Sequence, residues 1–242
     1  MVLTLILASS LLISLIAFVG VICLVMKDEL IGKIVLILMS LSAGTLMGGA
    51  FFHLIPEVAK SSSVENFWWI IGGFALFYLT EKVLQWHHCH KVKHERTIGY
   101  INLFGDFIHN FTDGLILAAT YLTSIPLGIM TTLAVAFHEI PQEIGDFGVL
   151  IYSGFDKVKA LFLNFLVALS VIMGGIIGYI ASSHVEGIAN FLIPLAAGGF
   201  IYIAASDIIP EIREEKEVKK SLSIFCIFLL GVLIMWIGRM FG

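Results

Sequence analysis

Long apolar runs recur along the whole chain, and no other feature constrains its fold as strongly. Each run is about 20 residues long, the length that an α-helix needs to cross a hydrocarbon core about 30 Å thick. Of the 242 residues, 59% are hydrophobic and 13% are charged, whereas soluble domains carry about 25% charged residues. No stretch between the runs is long enough for a separate soluble core. We therefore expect a single transmembrane domain over residues 1–242.

Charged and turn residues interrupt the apolar sequence and define eight predicted transmembrane helices. Helices four and five hold many polar residues, so a plain hydropathy window can miss one of them. The predicted helices cover about residues 2–26, 34–58, 67–86, 98–123, 126–152, 159–182, 188–210 and 221–241. The sequence therefore predicts an all-α integral membrane protein.

The distribution of Lys and Arg predicts the direction of each helix. If the N-terminus lies outside, 12 of the 14 Lys and Arg residues fall in inner loops or at inner helix ends, and only Lys60 and Arg239 remain outside. The positive-inside rule therefore predicts that both termini are extracytoplasmic. Short loops and the lack of a targeting extension favour a cell membrane. No basic patch interleaved with aromatic residues indicates nucleic acid as a partner.

Two segments that lie 154 residues apart carry matching motifs. The matches are Ala43-Gly44 with His53-x-x-Pro-Glu57 in helix two, and Ala197-Gly198 with Asp207-x-x-Pro-Glu211 in helix seven. Because helix seven lies five positions after helix two, the two helices cross the membrane in opposite directions. This arrangement is typical of the inverted-topology repeats of secondary transporters, and it predicts three helices flanking a central pair on each side.

Helices four and five carry ionisable residues that are costly inside a bilayer. These residues are Asp106, His109, Asp113, His138, Glu139, Glu143 and Asp146. No Lys or Arg lies within these two predicted helices. The carboxylates must therefore be protonated or must bind a cation.

The spacing of these residues indicates that they converge on one site. His109 and Asp113 are four residues apart, as are His138 and Gln142, so the members of each pair lie on one helix face. Both histidines lie near the middle of their helices, so the two faces are expected to meet at one depth. Imidazole with carboxylate suits zinc, iron and manganese, whereas calcium and magnesium prefer oxygen ligands alone. The residues predict a central, exchangeable site for a divalent transition-metal ion.

The motifs at 109–114, His-Asn-Phe-Thr-Asp-Gly, and at 138–146, His-Glu-Ile-Pro-Gln-Glu-Ile-Gly-Asp, resemble the ZIP (Zrt/Irt-like) family of metal transporters. The likeness is greatest to the subfamily with a His-Glu-x-Pro-His-Glu signature, and it covers essentially the whole chain. It implies a three-two-three arrangement of helices, a homodimer, and transport of zinc from outside into the cytoplasm. Fe²⁺, Mn²⁺ and Cd²⁺ are further candidate ions. The resemblance implies no enzymatic activity and no catalytic cofactor.

The resemblance also implies a ligand set. Its members are His109, Asn110, Asp113, His138, Glu139 and Gln142, with Glu143 in the same motif. Gln142 replaces a histidine of the subfamily signature, and glutamine is a weak, neutral oxygen ligand. Whether one ion or two bind, and which metal is preferred, therefore stays open. Asp106 and Asp146 extend the ligand faces by one turn and are expected to support the ligands or to relay ions.

The repeated motif suggests a path for the ion. His53 and Glu57 lie near the predicted outer end of helix two, where they would gather ions from outside. Asp207 and Glu211 lie near the predicted inner end of helix seven, where they would release ions to the cytoplasm. Protonation of carboxylates or histidines would weaken binding and make transport depend on pH.

Two weaker signals lie near the inner surface. A His-rich loop at about 87–97 would either catch released metal or be a solvated loop. Glu81 and Lys82 are interpreted as interfacial anchors at the end of helix three.

Two other functions are weighed against transport. His138-Glu139 begins like the His-Glu-x-x-His motif of metallohydrolases, but residue 142 is Gln and Pro141 interrupts the helix that this motif needs. The second alternative is a membrane receptor that binds metal without transporting it. The inverted repeat and the polar residues at three depths argue against this alternative.

Overall fold

The computed structural model describes residues 1–60, 64–89, 95–184 and 187–241, which fold almost entirely into helices. The helices are α1 Val2–Ser14, α2 Gly20–Val25, α3 Asp28–Gly49, α4 Ile55–Lys60, α5 Trp68–Cys89, α6 Glu95–Thr123, α7 Ile125–Tyr152, α8 Lys157–Ala168, α9 Ser170–His184, α10 Ala189–Tyr202, α11 Ile209–Ile212 and α12 Val218–Gly238. No β-strand occurs in the described ranges, which confirms the predicted all-α fold for them. Residues 90–94 of the predicted His-rich loop lie outside the described residues.

Several of these helices are long and apolar enough to cross a membrane. In the part of the chain that the structure describes, five stretches meet this condition: Val2–Ile22, Glu29–Lys60, Lys157–Ser182, Ile188–Ile212 and Val218–Gly238. Helices α6 and α7 have 29 and 28 residues but are more polar, as expected from the sequence. Large apolar side chains such as Phe162 and Leu166 are exposed on the outer surface, where lipid would cover them. The chain is a multi-pass membrane protein.

Helices α6 and α7 contact each other and most of the remaining helices. Ser124 alone separates them, and its side chain caps α7 by accepting a hydrogen bond of 3.2 Å from the Leu127 amide. Helix α6 also packs along α9, where Gly114 and Gly174 face each other. A Cβ atom on either glycine would collide with the backbone of the other helix. Small residues at such crossings allow the close packing that holds membrane helices together.

Both copies of the repeated motif contain a π-helical segment. The two segments are Ala50–Leu54 and Ile203–Ile208, which correspond at nearly the same offset of 154 residues as the motifs themselves. Each is followed within two residues by a proline, Pro56 or Pro210. Proline lacks the backbone N–H that an α-helix requires, and a single widened turn is a common accommodation within a helix. The repeated sequence thus has the same unusual backbone at both places.

Candidate metal centre

Helices α6 and α7 bring two histidines and two carboxylates together. His109 and Asp113 lie one turn apart on α6, and His138 and Glu139 are consecutive on α7. Each offers one ligand atom, and these four atoms all lie within 4.8 Å of one another. We call these four residues the central cluster.

The distances within the central cluster match the spacing of ligands around one ion. The Nε2 atoms of His109 and His138 are 3.0 Å apart. Asp113 Oδ2 lies 3.1 Å from the Nε2 atom of His138 and 3.6 Å from that of His109. Glu139 Oε1 lies 3.4 Å from the Nε2 atom of His109 and 3.5 Å from that of His138. Around a tetrahedral zinc ion with bonds of about 2.1 Å, neighbouring ligand atoms lie about 3.4 Å apart.

A backbone contact fixes the orientation of the His138 ring. Its Nδ1 atom lies 3.2 Å from the carbonyl oxygen of Ala134, one turn earlier in α7. Because a carbonyl oxygen only accepts hydrogen bonds, Nδ1 carries the proton. The Nε2 atom of the neutral ring then presents a lone pair to the central cluster. Metal-binding histidines in proteins are commonly oriented by such an acceptor.

Among the described residues, no Lys or Arg pairs with the buried carboxylates of the central cluster, whose charged partners are its own histidines. Asp113, His138 and Glu139 are at most 2% exposed, whereas the His109 side chain is 16% exposed. Two carboxylates at such a depth are costly unless a positive charge joins them. A divalent cation would supply that charge and would accept the imidazole nitrogens as ligands as well. The donor set therefore fits a transition-metal ion.

A cavity of about 670 Å³ extends from the central cluster toward one end of the helices. It reaches from His109 and His138 to Asp207 and Glu211, which are exposed. No Lys or Arg is among the described residues that line it. Toward the opposite end of the helices, the interior is filled by buried apolar side chains, which include Ile116, Leu117, Leu127 and Ile193. The central cluster therefore communicates with the surface through an acidic passage.

Comparison with known proteins assigns this arrangement to a family. The sequence profile described as "ZIP Zinc transporter" matches residues 85–238, a range that contains the central cluster and most of the cavity lining. The chain belongs to the ZIP family. Among its relatives, "Zinc transporter ZIP13" of Pongo abelii is 33% identical over 223 residues, which are 84% of this chain and 66% of that protein.

Other ZIP relatives give a consistent result. "Zinc transporter ZIP13" of Mus musculus is 31% identical, over 84% of this chain and 70% of that protein. "Zinc transporter zipt-7.2" of Caenorhabditis elegans is 28% identical, over 85% of this chain and 58% of that protein. The chain thus spans about two thirds of the length of these relatives.

Two of the ligand positions implied by the ZIP resemblance lie beside the central cluster. The Asn110 amide donates a hydrogen bond of 2.8 Å to Asp106 Oδ1, and the Gln142 amide donates one of 3.2 Å to the same oxygen. Asp146, the other residue expected to support the ligands, accepts a hydrogen bond of 2.9 Å from the Asn102 amide. Asp106 and its two amide partners therefore form a separate polar group on the α6–α7 pair.

Glu143, the last implied position, contacts helix α8. Its carboxylate accepts a hydrogen bond from the Asn164 amide, which also lies 3.3 Å from the Glu143 carbonyl oxygen. Both residues are fully buried. The contact links α7 to α8 next to Pro141, where α7 lacks one backbone hydrogen bond. Asn164 was not singled out from the sequence, because no spacing rule relates α8 to α7.

His53 contacts the end of α12. Its Nε2 atom lies 2.8 Å from the carbonyl oxygen of Met235, so this nitrogen is the donor and Nδ1 is left as the acceptor. Nearby, Arg239 donates a hydrogen bond of 3.4 Å to the carbonyl oxygen of Phe52. The two contacts join the first π-helical segment to α12 and to Arg239, the residue that follows it.

The other residues of the predicted path lie in two cavities. Glu57 pairs with Lys60 at 2.7 Å and lines a cavity of about 250 Å³. Asp207 and Glu211 line the large cavity. Glu81, which sequence reasoning interpreted as an interfacial anchor, also lines the large cavity and accepts a hydrogen bond from the Tyr202 hydroxyl. The position of Glu81 at a predicted helix end gave no indication in the sequence that its side chain would line this cavity.

Proposed function

We propose that this ZIP-family chain carries divalent transition-metal ions, with zinc foremost, across a membrane into the cytoplasm. The observation that carries the proposal is the central cluster itself: two imidazoles and two buried carboxylates at ligand spacing, open to an acidic cavity. The relatives are named zinc transporters, which supports zinc as the cargo. Fe²⁺, Mn²⁺ and Cd²⁺ are further substrates to be ranked against it.

The proposed ligands of the cargo are His109, Asp113, His138 and Glu139. Asn110, Gln142 and Glu143 belong to the same two motifs, and their observed partners favour a supporting role for them. Because the four ligands include no thiolate, the ion is held by exchangeable nitrogen and oxygen atoms. A site of this kind suits binding followed by release.

The proposed architecture has eight transmembrane helices in a three-two-three arrangement with an inverted repeat. The paired π-helical segments support the repeat. So do Gly44 and Gly198, which lie 154 residues apart and each pack closely against another helix, Gly44 on α12 and Gly198 on α5. In an eight-helix chain these two contacts join helices two and eight and helices seven and three. An inverted repeat relates helix two to helix seven and helix three to helix eight, so it relates one of these contacts to the other.

The proposed orientation has both termini outside the cytoplasm. The large cavity lies at the ends of α5, α7 and α10 that lead into the Lys- and Arg-rich loops, which the positive-inside rule assigns to the cytoplasm. Its acidic mouth at Asp207 and Glu211 is then the cytoplasmic exit, and the small cavity at Glu57 faces outside. A cell membrane and a homodimer complete the proposal.

Uptake by sealed liposomes tests the function directly. The native chain and the His109→Ala/Asp113→Ala variant are reconstituted with a trapped zinc-sensitive dye. A His184→Ala/Asp156→Asn variant serves as a matched control, because both residues lie away from the central cluster. Uptake by the native and control proteins, lost in the central variant with its folding intact, supports transport through this site.

Absence of uptake in both orientations and under several pH gradients would overturn the proposal. Vesicles that bind zinc without accumulating it would then favour a metal-binding receptor. Hydrolysis of a peptide or lipid that is lost in an Asp113→Ala variant would favour a metallohydrolase.

A further inference from the structure

Aromatic side chains contact both histidines of the central cluster. The ring of Phe77 meets the ring of His109 edge to face, with centroids 6.4 Å apart and planes at 88°. The ring of Phe200 meets that of His138 with centroids 6.2 Å apart and planes at 66°. Aromatic rings attract each other in such arrangements. Each ligand histidine therefore has one aromatic neighbour outside the cluster.

The two aromatic residues come from α5 and α10, whereas the ligands come from α6 and α7. Residue 199 of α10 is glycine, and a Cβ atom there would lie 2.6 Å from the Cε2 atom of Phe77. The lack of a side chain at Gly199 therefore makes room for the Phe77 ring beside His109. The next residue, Phe200, supplies the ring beside His138. Two consecutive residues of α10 thus help to place both aromatic neighbours.

The two aromatic side chains differ in their surroundings. Phe200 is 1% exposed and belongs to the main apolar core. Phe77 is half-buried and lines the large cavity together with His109. The Phe77 ring therefore occupies part of the space through which water from the cavity would approach His109.

The two histidines also differ in how their rings are held. The Nδ1 atom of His138 contacts the carbonyl oxygen of Ala134. Among the described residues, no hydrogen bond of this kind holds the Nδ1 atom of His109, whose polar contacts are all made through Nε2. Packing against Phe77 is therefore the contact that restrains the His109 ring from outside the cluster.

The room around a bound ion helps to select between metals. Zn²⁺ is commonly four-coordinate, and the central cluster supplies four ligand atoms. Mn²⁺ is usually six-coordinate with oxygen ligands, so it needs water molecules in addition to these four. A side chain that keeps water away from the cluster therefore favours Zn²⁺ over Mn²⁺.

We propose that Phe77 is a positioning residue that fixes the ring of His109 and limits the room for water around the ion, and that it thereby gives the central cluster a preference for Zn²⁺ over Mn²⁺. Phe200 closes the side of the cluster that faces the apolar core. This inference rests on the proposed function, because it concerns the metal preference of the same site.

Binding of Co²⁺ to the purified full-length chain tests this role, because tetrahedral Co²⁺ absorbs visible light far more strongly than six-coordinate Co²⁺ does. The native chain is expected to give strong absorption. Phe77→Ala should give weak absorption, because water joins the ion. In calorimetry, the same substitution should reduce the ratio of the Mn²⁺ Kd to the Zn²⁺ Kd about tenfold, an effect typical of groups that support a metal ligand.

Phe74→Ala is the matched control. Phe74 lies three residues earlier on α5, and its ring contacts that of Tyr202 on α10 with centroids 5.1 Å apart. The control removes an aromatic ring from between the same two helices without removing a contact to a histidine. It should keep the native Co²⁺ spectrum and the native Kd ratio. An equal change in Phe74→Ala would overturn the proposal, because general packing of α5 would then set the preference.

Phe77→Leu covers the case in which Phe77→Ala does not fold. Leucine retains apolar volume between α5 and α10 but has no flat ring beside His109. We expect this variant to weaken the Co²⁺ absorption and to lower the Kd ratio, as Phe77→Ala does. Native values of both quantities in every Phe77 variant that folds, or weak Co²⁺ absorption by the native chain, would overturn the proposal.

Zinc uptake by the native chain in liposomes separates this inference from the proposed function. Uptake by the native chain, together with an unchanged spectrum and Kd ratio in the Phe77 variants, would sink the role of Phe77 and leave the transport proposal standing. A changed spectrum and Kd ratio in these variants, with no zinc uptake by the native chain, would support the role of Phe77 in the site and sink the transport proposal.

Discussion

The Nε2 atoms of His109 and His138 lie 3.0 Å apart although the residues belong to different helices. Neutral imidazoles meet in this way only if one nitrogen donates and the other accepts. In a neutral ring, the Nδ1 contact of His138 with Ala134 leaves the Nε2 atom of His138 as the acceptor. A metal ion between the rings would replace the proton on the Nε2 atom of His109, so the metal-free geometry already resembles the bound one.

Removal of either ring should therefore greatly reduce zinc affinity. Changes to groups that only support a ligand typically weaken metal binding 10–100-fold, so loss of a ligand itself in His109→Ala or His138→Ala should raise the Kd for zinc at least about 100-fold. Isothermal titration calorimetry of the detergent-solubilised protein measures this change. His184→Ala should bind zinc like the native chain, and an unchanged Kd in His138→Ala would contradict the assignment.

Zinc binding should weaken as the pH decreases. Protons compete with the metal for the imidazole nitrogens and carboxylate oxygens of the central cluster, so the metal-free form gains stability in acid. The Kd for zinc should therefore rise steadily between about pH 7.5 and about pH 5.5. Titrations in buffers with different ionisation enthalpies should also detect proton release on binding. Binding that is independent of pH over this range would mean that the ligands are not titratable groups.

The contact between α6 and α9 should not tolerate a methyl group. Gly174→Ala places a Cβ atom against the backbone of α6, and we expect a loss of about 1–3 kcal/mol in the free energy of unfolding. Gly148→Ala is the matched control, because a Cβ atom there meets no other atom within 4 Å. Unfolding in detergent mixtures compares the two variants. Equal stability of Gly174→Ala and the native chain would contradict the close packing of α6 against α9.

The buried pair of Glu143 and Asn164 should behave as a coupled unit. Asn164→Ala removes the amide donor from a buried carboxyl group, which should cost about 1–3 kcal/mol of stability. Glu143→Ala should also destabilise the chain, but the double variant should lose less than the sum of the two. A double-mutant cycle measures this coupling, expected at about 0.5–3 kcal/mol. Additive losses would indicate that the contact contributes nothing of its own.

Regular spacing made the central cluster predictable from the sequence. The pairs at four-residue intervals on helices four and five, and the lack of Lys or Arg within those helices, indicated that the polar groups meet at one site that binds a cation, protons or both. The offset of 154 residues likewise pointed to two equivalent segments, and both copies are π-helical. Pro56 and Pro210 are the residues in the sequence that indicate an irregular backbone at these two places.

Contacts between distant helices could not be read from spacing. Glu81 lies beside Lys82 at a helix end, and only the approach of Tyr202 from α10 reveals its position on the cavity wall. The pairing of Asn164 with Glu143, and of His53 with the Met235 carbonyl, depends in the same way on how helices pack. Packing of this kind follows from shape and small residues rather than from any single motif.

The absence of Lys and Arg from the described lining of the large cavity bears on the energetics of transport. Anions find no favourable partner in an acidic passage, so a zinc ion that crosses without protons moving in the opposite direction would carry two positive charges across the membrane. Each charge gains about 2.3 kcal/mol from a potential of 100 mV, negative inside. The transport cycle would then be electrogenic, and the membrane potential alone would sustain a zinc gradient of more than about 1,000-fold.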